Sequence, residues 1–317
     1  MRENRSIMEV ELPVVIQLPE MDPDAFIGYY RGRQAETDRL LLEKGAIKFR
    51  GVHIDSLNSF QRIVDSISDR FLNYIDGNSP RTRLSGNVYT STEYDASQRI
   101  TMHNELSYSA KWPARLFFSC LQPAETGGET LLADSRQILK KMDKAIVEEV
   151  MARGITYIRN LHGGEGLGPS WQETFETSDK EKVMEYCRSY GIRAEWRGRN
   201  GLRLVQSARG IINHRITGEP LWFNQIDQFH PCHLGPELLK TIGLLYDTPD
   251  NFPMFVRFGD GKEICESLVR EILGTIEEVT VAPVWRTNEL LLLDNELVSH
   301  GRSAYTGNRK VLVAMSE

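Results

Sequence analysis

Thr101-Met102-His103-Asn104-Glu105-Leu106, answered far downstream by His300, is the stretch on which the reading of this chain turns. A strand places residues i and i+2 on one face. An extended His103-Asn104-Glu105 therefore points an imidazole and a carboxylate the same way. His300 supplies a second imidazole. Two histidines and one carboxylate hold one face of an octahedral Fe(II) and leave the opposite face open. The triplet alone arises often by chance, so its meaning depends on whether residues 103 and 300 can meet. A closed or double-sheet β-roll makes them meet, because its first and last strands become neighbours.

The surrounding pattern supplies the strands that such a roll needs. Leu116-Phe117-Phe118-Ser119-Cys120-Leu121 is nearly continuous apolar sequence, as in a strand buried on both faces. Residues 46–50 alternate apolar and polar, and 279–284, 290–293 and 310–315 also read as strands. Thr287-Asn288 is a turn before Leu290, since Asn tolerates the left-handed region. Helices are expected over 23–44, stopped by Gly45, and over 56–74, where Phe60, Ile63, Val64, Ile67 and Phe71 fall at helical spacing. Asp134-Ser135 caps a further helix at 136–152, and 178–190 and 262–278 look helical too. Trp222-Phe223-Asn224 belongs to an aromatic strand, and Gly127-Gly128 marks a turn. Strands at both ends with a mixed insert at about 160–275 predict one catalytic domain over 1–317, mainly β with α insertions.

Composition narrows the function. The 317 residues are 40% hydrophobic and 26% charged, with a formal net charge of −6 and a pI near 5.8. Nothing in that balance favours nucleic acid, which calls for basic patches. No apolar run reaches the ~20 residues of a membrane span, and the opening MRENRSIMEVELP lacks a signal peptide's apolar core. Cys120, Cys187, Cys232 and Cys265 show no C-x-x-C spacing and read as reduced thiols. The expectation is a cytoplasmic protein free of nucleic acid and membrane, with homo-oligomerisation left open.

Each candidate has a bland alternative. A lone histidine in a β-rich core is more often a hydrogen-bonded structural residue than a ligand. Glu105 changes that balance for His103, because a buried carboxylate needs a partner to offset its desolvation. Arg309 opens the strand expected at 310–315. Turned into a barrel it would need a carboxylate, which 2-oxoglutarate supplies in bidentate geometry; the alternative is a surface arginine at a strand edge. The Thr130 hydroxyl is placed to donate to the same carboxylate. Arg302, two residues after His300, is the rival for that role or a substrate contact. Glu93 and Arg99, just ahead of His103, and Arg83 before them, suit a pocket mouth that pairs with an amine or carboxylate, against the commoner alternative of surface or packing residues. His230-Pro231-Cys232-His233 is too tightly spaced around a proline to share a metal and reads as a loop. Gly163-Gly164-x-Gly166-x-Gly168 lacks the lysine and strand–helix context of a phosphate loop.

Ordered motifs along residues 40–317 resemble the taurine dioxygenase/clavaminate synthase-like family of Fe(II)- and 2-oxoglutarate-dependent oxygenases. They run from Ser91-Thr92-Glu93-Tyr94 and Met102-His103-Asn104-Glu105-Leu106-Ser107-Tyr108 through Pro123-Ala124-x-x-Gly127-Gly128-Glu129-Thr130 and Ala133-Asp134-Ser135. Trp171-Gln172-x-x-Phe175-x-Thr177, His214-x-x-Thr217-Gly218-Glu219, Trp222-Phe223-Asn224 and Gly259-Asp260-Gly261 follow. Leu293-Asp294-Asn295, His300-Gly301-Arg302 and Tyr305-x-Gly307-x-Arg309 close the series. The resemblance implies a double-stranded β-helix, or jelly roll. It also implies His103, Glu105 and His300 as iron ligands, and Thr130 and Arg309 as the clamp on the distal carboxylate of 2-oxoglutarate.

Two departures from the commonest pattern stand out. Many relatives carry Asp where this chain has Glu105. Glutamate there resembles the clavaminate synthase-like and syringomycin-type branch, and leans toward amino-acid-type substrates. Its presence also argues against halogenation, for which relatives have Ala or Gly. Asn288-Glu289 replaces a Gly-Asp turn. The implied activity is hydroxylation of an unactivated C–H bond with O2, desaturation and epoxidation being alternatives on the same chemistry. The implied substrate is an amino acid, a small peptide or a carrier-protein-tethered aminoacyl group, as in peptide-antibiotic biosynthesis. A small organic acid or sulfonate is the runner-up. A catalytically silent binding protein and a zinc site are the readings from other classes.

Overall fold

The computed structural model describes residues 12–68, 70–72, 75–77, 83–90, 94–198 and 200–317. Its main wall is a seven-stranded sheet in the order Val14–Met21, Ala46–Val52, Glu289–Asp294, Arg115–Gln122, Lys310–Ser316, Val88–Thr90 and Arg83–Ser85. Early and late parts of the chain alternate across it. Leu291 lies opposite both Lys48 and Phe118, and Phe118 also lies opposite Val313.

The period of two explains why these strands lack polar alternation. Leu290 and Leu292 join Ile47, Phe49, Phe117, Leu312 and Ala314 in an outer core beneath the helices Pro23–Gly32 and Leu57–Ile67. Leu291 and Leu293 face the other way, into an inner core with Phe118, Cys120, Val311 and Val313. Both faces are covered, so apolar runs such as 116–121 and 290–293 are what the architecture requires.

A three-stranded sheet opposes the wall across the inner core. Its central strand, Val298–Arg302, pairs with Ile100–His103 on one side and Thr130–Asp134 on the other. The Phe118 ring on the wall approaches the His300 ring on this sheet to 5.4 Å between centroids. The two sheets form a double-stranded β-helix.

A four-stranded sheet, ordered Arg193–Arg197, Gly201–Ala208, Ile155–Leu161 and Met254–Phe258, comes from the mixed insert. The helix Lys180–Ser189 contributes Val183 and Cys187 to a core with Leu202 and Leu204 of that sheet. Tyr157 of the insert packs on Tyr108 and Phe229 at 6.3 and 4.7 Å. A buried Arg159–Asp76 ion pair ties the same sheet to the segment preceding the roll.

Several expected elements differ in extent. The helix at 23–44 is two, Pro23–Gly32 and Gln34–Lys44, with Arg33 off helical geometry at φ −126. Gly45 ends the second at φ 78, its N–H donating to Leu41 O. The 136–152 helix is Ser135–Lys141 and Lys144–Arg153, restarted by Asp143, whose carboxylate caps Ala145 N at 2.7 Å. The helix expected over 56–74 closes at Ile67, where Ser68 turns extended. The strand expected at 279–284 does not form. The helix Glu266–Val279 occupies its start, only Val281 bridges Leu132, and Pro283 has no N–H with which to extend a ladder.

Candidate active site

His300 sits in the middle of its strand, in register with His103 at the end of the neighbouring one. The two imidazole centroids are 4.4 Å apart. His300 Nε2 lies 3.6 Å from Glu105 Oε2, and one ligand atom from each of His103, Glu105 and His300 falls within 4.8 Å of the others. All three side chains are buried. Gly301 allows the strands to close here: a Cβ on it would stand 2.6 Å from Ile100 O and 3.0 Å from Met102 Sδ.

Glu105 does not arrive by strand alternation. The strand ends at His103, and Glu105 lies in the turn beyond it, followed by Leu106 at φ 57. Its aim comes instead from Asn295. Glu105 N donates to Asn295 Oδ1 at 2.7 Å, and Asn295 Nδ2 donates to Glu105 O at 3.0 Å and Pro113 O at 2.9 Å. Asn104 returns the contact, its Nδ2 donating to Asn295 O at 2.6 Å, while Gln225 Nε2 donates to Asn104 O at 2.9 Å. The buried Asn295 amide is satisfied on both its donor and its acceptor side, so these bonds hold the turn through neutral groups.

His103 is oriented by its own strand. Its Nδ1 is 2.9 Å from Thr101 O and 3.1 Å from Gln228 Nε2, two contacts that fix the direction of the ring. Gln228 Nε2 donates to the same carbonyl at 3.1 Å. Beside it, burial pushes the Asp227 carboxyl up to about 6, against the opposing hydrogen bond from Thr101. A buried carboxylate between two imidazoles is costly unless a cation offsets it. Two nitrogens and an oxygen converging from one side are the donor set that suits Fe(II).

Of the proposed clamp residues, Thr130 lies on the same small sheet and Arg309 immediately precedes the wall strand Lys310–Ser316. Thr130 is paired in register with Arg302, and its Oγ1 accepts the Trp285 indole N–H at 3.0 Å. Arg309 Nε donates to Gly128 O at 2.8 Å. Gly128, at φ 75, leaves that space open, since a Cβ there would press on Arg309 Cδ at 3.0 Å. Burial, with the nearby Arg302 charge, pulls the Arg309 guanidinium down to about 10. A desolvated cation in this state favours an anion beside it.

The remaining candidates are placed otherwise. Arg302 is buried and donates to three backbone carbonyls, Tyr94 O, Asp95 O and Gln98 O, at 2.7–3.2 Å. Arg99 forks onto Glu277 at the surface. Glu93 and the side chain of Arg83 lie outside the described residues. His230 and His233 are engaged locally, His230 Nε2 with Ile264 O and His233 Nδ1 with His230 O. Sequence reasoning overlooked Gln228 and Trp285, neither of which stands in a motif. It noted Asn295 only as part of a pattern, with no hint of its partner at residue 105.

A family model described as "Taurine catabolism dioxygenase TauD, TfdA family" matches residues 20–315. The dapdiamide synthesis protein DdaC of Enterobacter agglomerans is 36% identical over 282 residues, covering 88% of this chain and 84% of that protein. A clavaminate synthase-like protein of Arabidopsis thaliana is 29% identical over 308 residues, covering 95% and 90%. Among solved structures, the PvcB protein of Pseudomonas aeruginosa shares the fold at a TM-score of 0.53 and 13% identity, over 95% of this chain and 84% of that one. Because the family match runs almost from end to end and takes in both strands that bring the two histidines together, this chain belongs to the taurine catabolism dioxygenase TauD, TfdA family and is an Fe(II)- and 2-oxoglutarate-dependent dioxygenase.

Proposed function

We propose that this dioxygenase hydroxylates an unactivated C–H bond of an amino acid, a small peptide or a carrier-tethered aminoacyl group in the making of a peptide natural product. His103, Glu105 and His300 hold the iron, and Thr130 and Arg309 take the distal carboxylate of 2-oxoglutarate. The observation that carries the assignment is the convergence of the three donor atoms within 4.8 Å. The substrate class is supported by the 36% identity to a protein of dapdiamide synthesis and by glutamate at position 105.

Bound iron, with 2-oxoglutarate and oxygen, supplies an oxidant that removes hydrogen from carbon, the 2-oxo acid leaving as succinate and carbon dioxide. The chain's own part is orientation and exclusion of water. Thr101 O and Gln228 Nε2 hold the His103 ring at Nδ1, leaving Nε2 as the nitrogen that would bind the metal. Asn295 fixes the peptide that carries the third ligand. Phe118 covers His300 from the wall. Arg302 braces the 94–98 loop rather than meeting substrate, and Arg99 serves as a surface pair. One catalytic unit with 160–275 as its insert, in a reducing compartment such as the cytoplasm, completes the reading; all four cysteines are unpaired.

The test is a screen of iron-loaded protein for succinate formation above the basal level. Free amino acids, dipeptides and aminoacyl groups on a carrier are compared with alkylsulfonates and simple organic acids. Stimulation by a member of the first group with a gain of one oxygen supports the proposal. Stimulation by sulfonates or organic acids alone overturns the substrate class.

A further inference from the structure

Trp285 lies outside every motif that pointed to the site, yet its indole N–H donates to Thr130 Oγ1 at 3.0 Å, with both residues buried. A threonine hydroxyl has one proton and two lone pairs, whereas an indole N–H only donates. The indole fills one lone pair and turns the hydroxyl so that its own proton points away from the ring. Among the described residues, no second bond to that oxygen takes it up.

The indole is itself held on several sides. Lys48 Nζ stands 4.5 Å from the Trp285 ring centroid and donates to Val284 O at 3.0 Å. It also pairs with Glu289 at 3.3 Å, both side chains being 1% exposed. Glu289 accepts Arg286 N at 3.0 Å and Arg50 Nε at 2.6 Å. The peptides before and after Trp285 are thus pinned by the two members of one buried ion pair. Such a pair is a weak source of stability compared with apolar packing. Fixing the direction of one ring gives it a function.

We propose that Trp285 is a positioning residue for the cosubstrate: its N–H turns the Thr130 hydroxyl so that the hydroxyl proton is aimed at the distal carboxylate of 2-oxoglutarate, and the Lys48–Glu289 pair keeps the indole in place. The proposal rests on the reading that Thr130 and Arg309 receive that carboxylate. It adds a residue whose effect passes entirely through Thr130, so it makes a statement about non-additivity.

The experiment is calorimetric titration of the Fe(II)-loaded protein with 2-oxoglutarate under anaerobic conditions, with iron affinity and Tm measured on the same samples. Thr130→Val weakens 2-oxoglutarate about tenfold and Trp285→Phe, which keeps a ring over Lys48, about three- to fivefold. In the Thr130→Val background, Trp285→Phe changes the affinity by less than about 1.5-fold. Thr130→Ser retains the affinity within about twofold and stays sensitive to Trp285→Phe. Iron affinity is unchanged throughout. Equal losses from Trp285→Phe in both backgrounds, or no loss in the wild type, overturn the role of Trp285 and leave the clamp standing. No loss from Thr130→Val removes Thr130 from the clamp, and the inference with it.

Discussion

The two ends of the barrel interior are braced by different chemistry. The groups bonded to His103 and to the turn that carries Glu105 are neutral amides, Asn104, Asn295, Gln225 and Gln228, with the ionisable His214, Asp294 and Glu296 one layer further out. At Thr130 and Arg309 charges stand close behind: Arg302 beside Arg309, and Lys48, Glu289 and Arg50 behind the Trp285 indole that bonds Thr130. On the proposed assignment the contrast follows from what each end would receive. A metal ligand needs fixed direction without a competing ion, and a carboxamide offers donors and an acceptor without titrating. An end that takes an anion needs positive potential in a desolvated place, which crowded guanidinium groups provide.

The largest effects belong to the ligand end. His103→Ala, Glu105→Ala and His300→Ala should each abolish turnover while the fold survives, since on the proposed assignment removing one weakens metal binding more than packing. Iron content and 2-oxoglutarate-dependent succinate formation measure this, and full activity with normal iron in any one removes that residue from the set. Asn295→Ala should follow. It leaves the Glu105 peptide and Pro113 O without their partner, costing about 2–4 kcal/mol of stability and about 10–100-fold in metal affinity. A loss of stability with unchanged metal affinity would reduce Asn295 to a packing residue.

At the charged end, Arg309→Ala should raise the 2-oxoglutarate requirement at least about tenfold, because truncating one partner of a shielded ion pair costs ~2–5 kcal/mol and tenfold needs only ~1.4. Arg302→Ala should move it by less than about threefold, since its guanidinium is spent on the carbonyls of 94, 95 and 98. Titrating 2-oxoglutarate against both variants decides between them; the reverse order would mean that the clamp belongs to Arg302.

A smaller effect depends on pH. Burial pulls the His214 imidazole down, but the hydrogen bond and charge of Asp294, with Glu296, outweigh it and raise its pKa. A raised pKa means stability fully present below the unfolded value near 6.5 and lost as pH climbs through the folded one. Those two carboxylates flank Asn295, so the pair supports the turn that aims Glu105. The Tm gap between wild type and His214→Gln should be widest at mildly acid pH and narrow as pH rises. A gap that widens upward contradicts the assignment. Smallest of all, Arg99→Ala breaks an exposed pair with Glu277 and should shift Tm by no more than about a degree.

Much of this was legible in the chain itself. The apolar run at 116–121 announced a strand covered on both faces, 290–293 announced another strand, and Asn288 announced the turn that it makes at φ 62. His103, Glu105 and His300 stood out by residue type. What stayed hidden was contact across long separations. Nothing local to Asn295 says that its amide mimics a strand beside residue 105, and Trp285 reads as one more core aromatic until Thr130 is set beside it. The same-face argument brought His103 and Glu105 together, as they are, but through the wrong geometry, because a tight turn also returns a side chain to the face its strand has just left.

The most direct measurement is the visible absorbance of the Fe(II) protein titrated anaerobically with 2-oxoglutarate. Wild-type protein should develop a weak charge-transfer band. Arg309→Ala should reach the same intensity only at higher 2-oxoglutarate, while Glu105→Ala and His300→Ala should show none. A band of undiminished intensity in His300→Ala, with iron still bound, would place the metal elsewhere and contradict the assignment of the site.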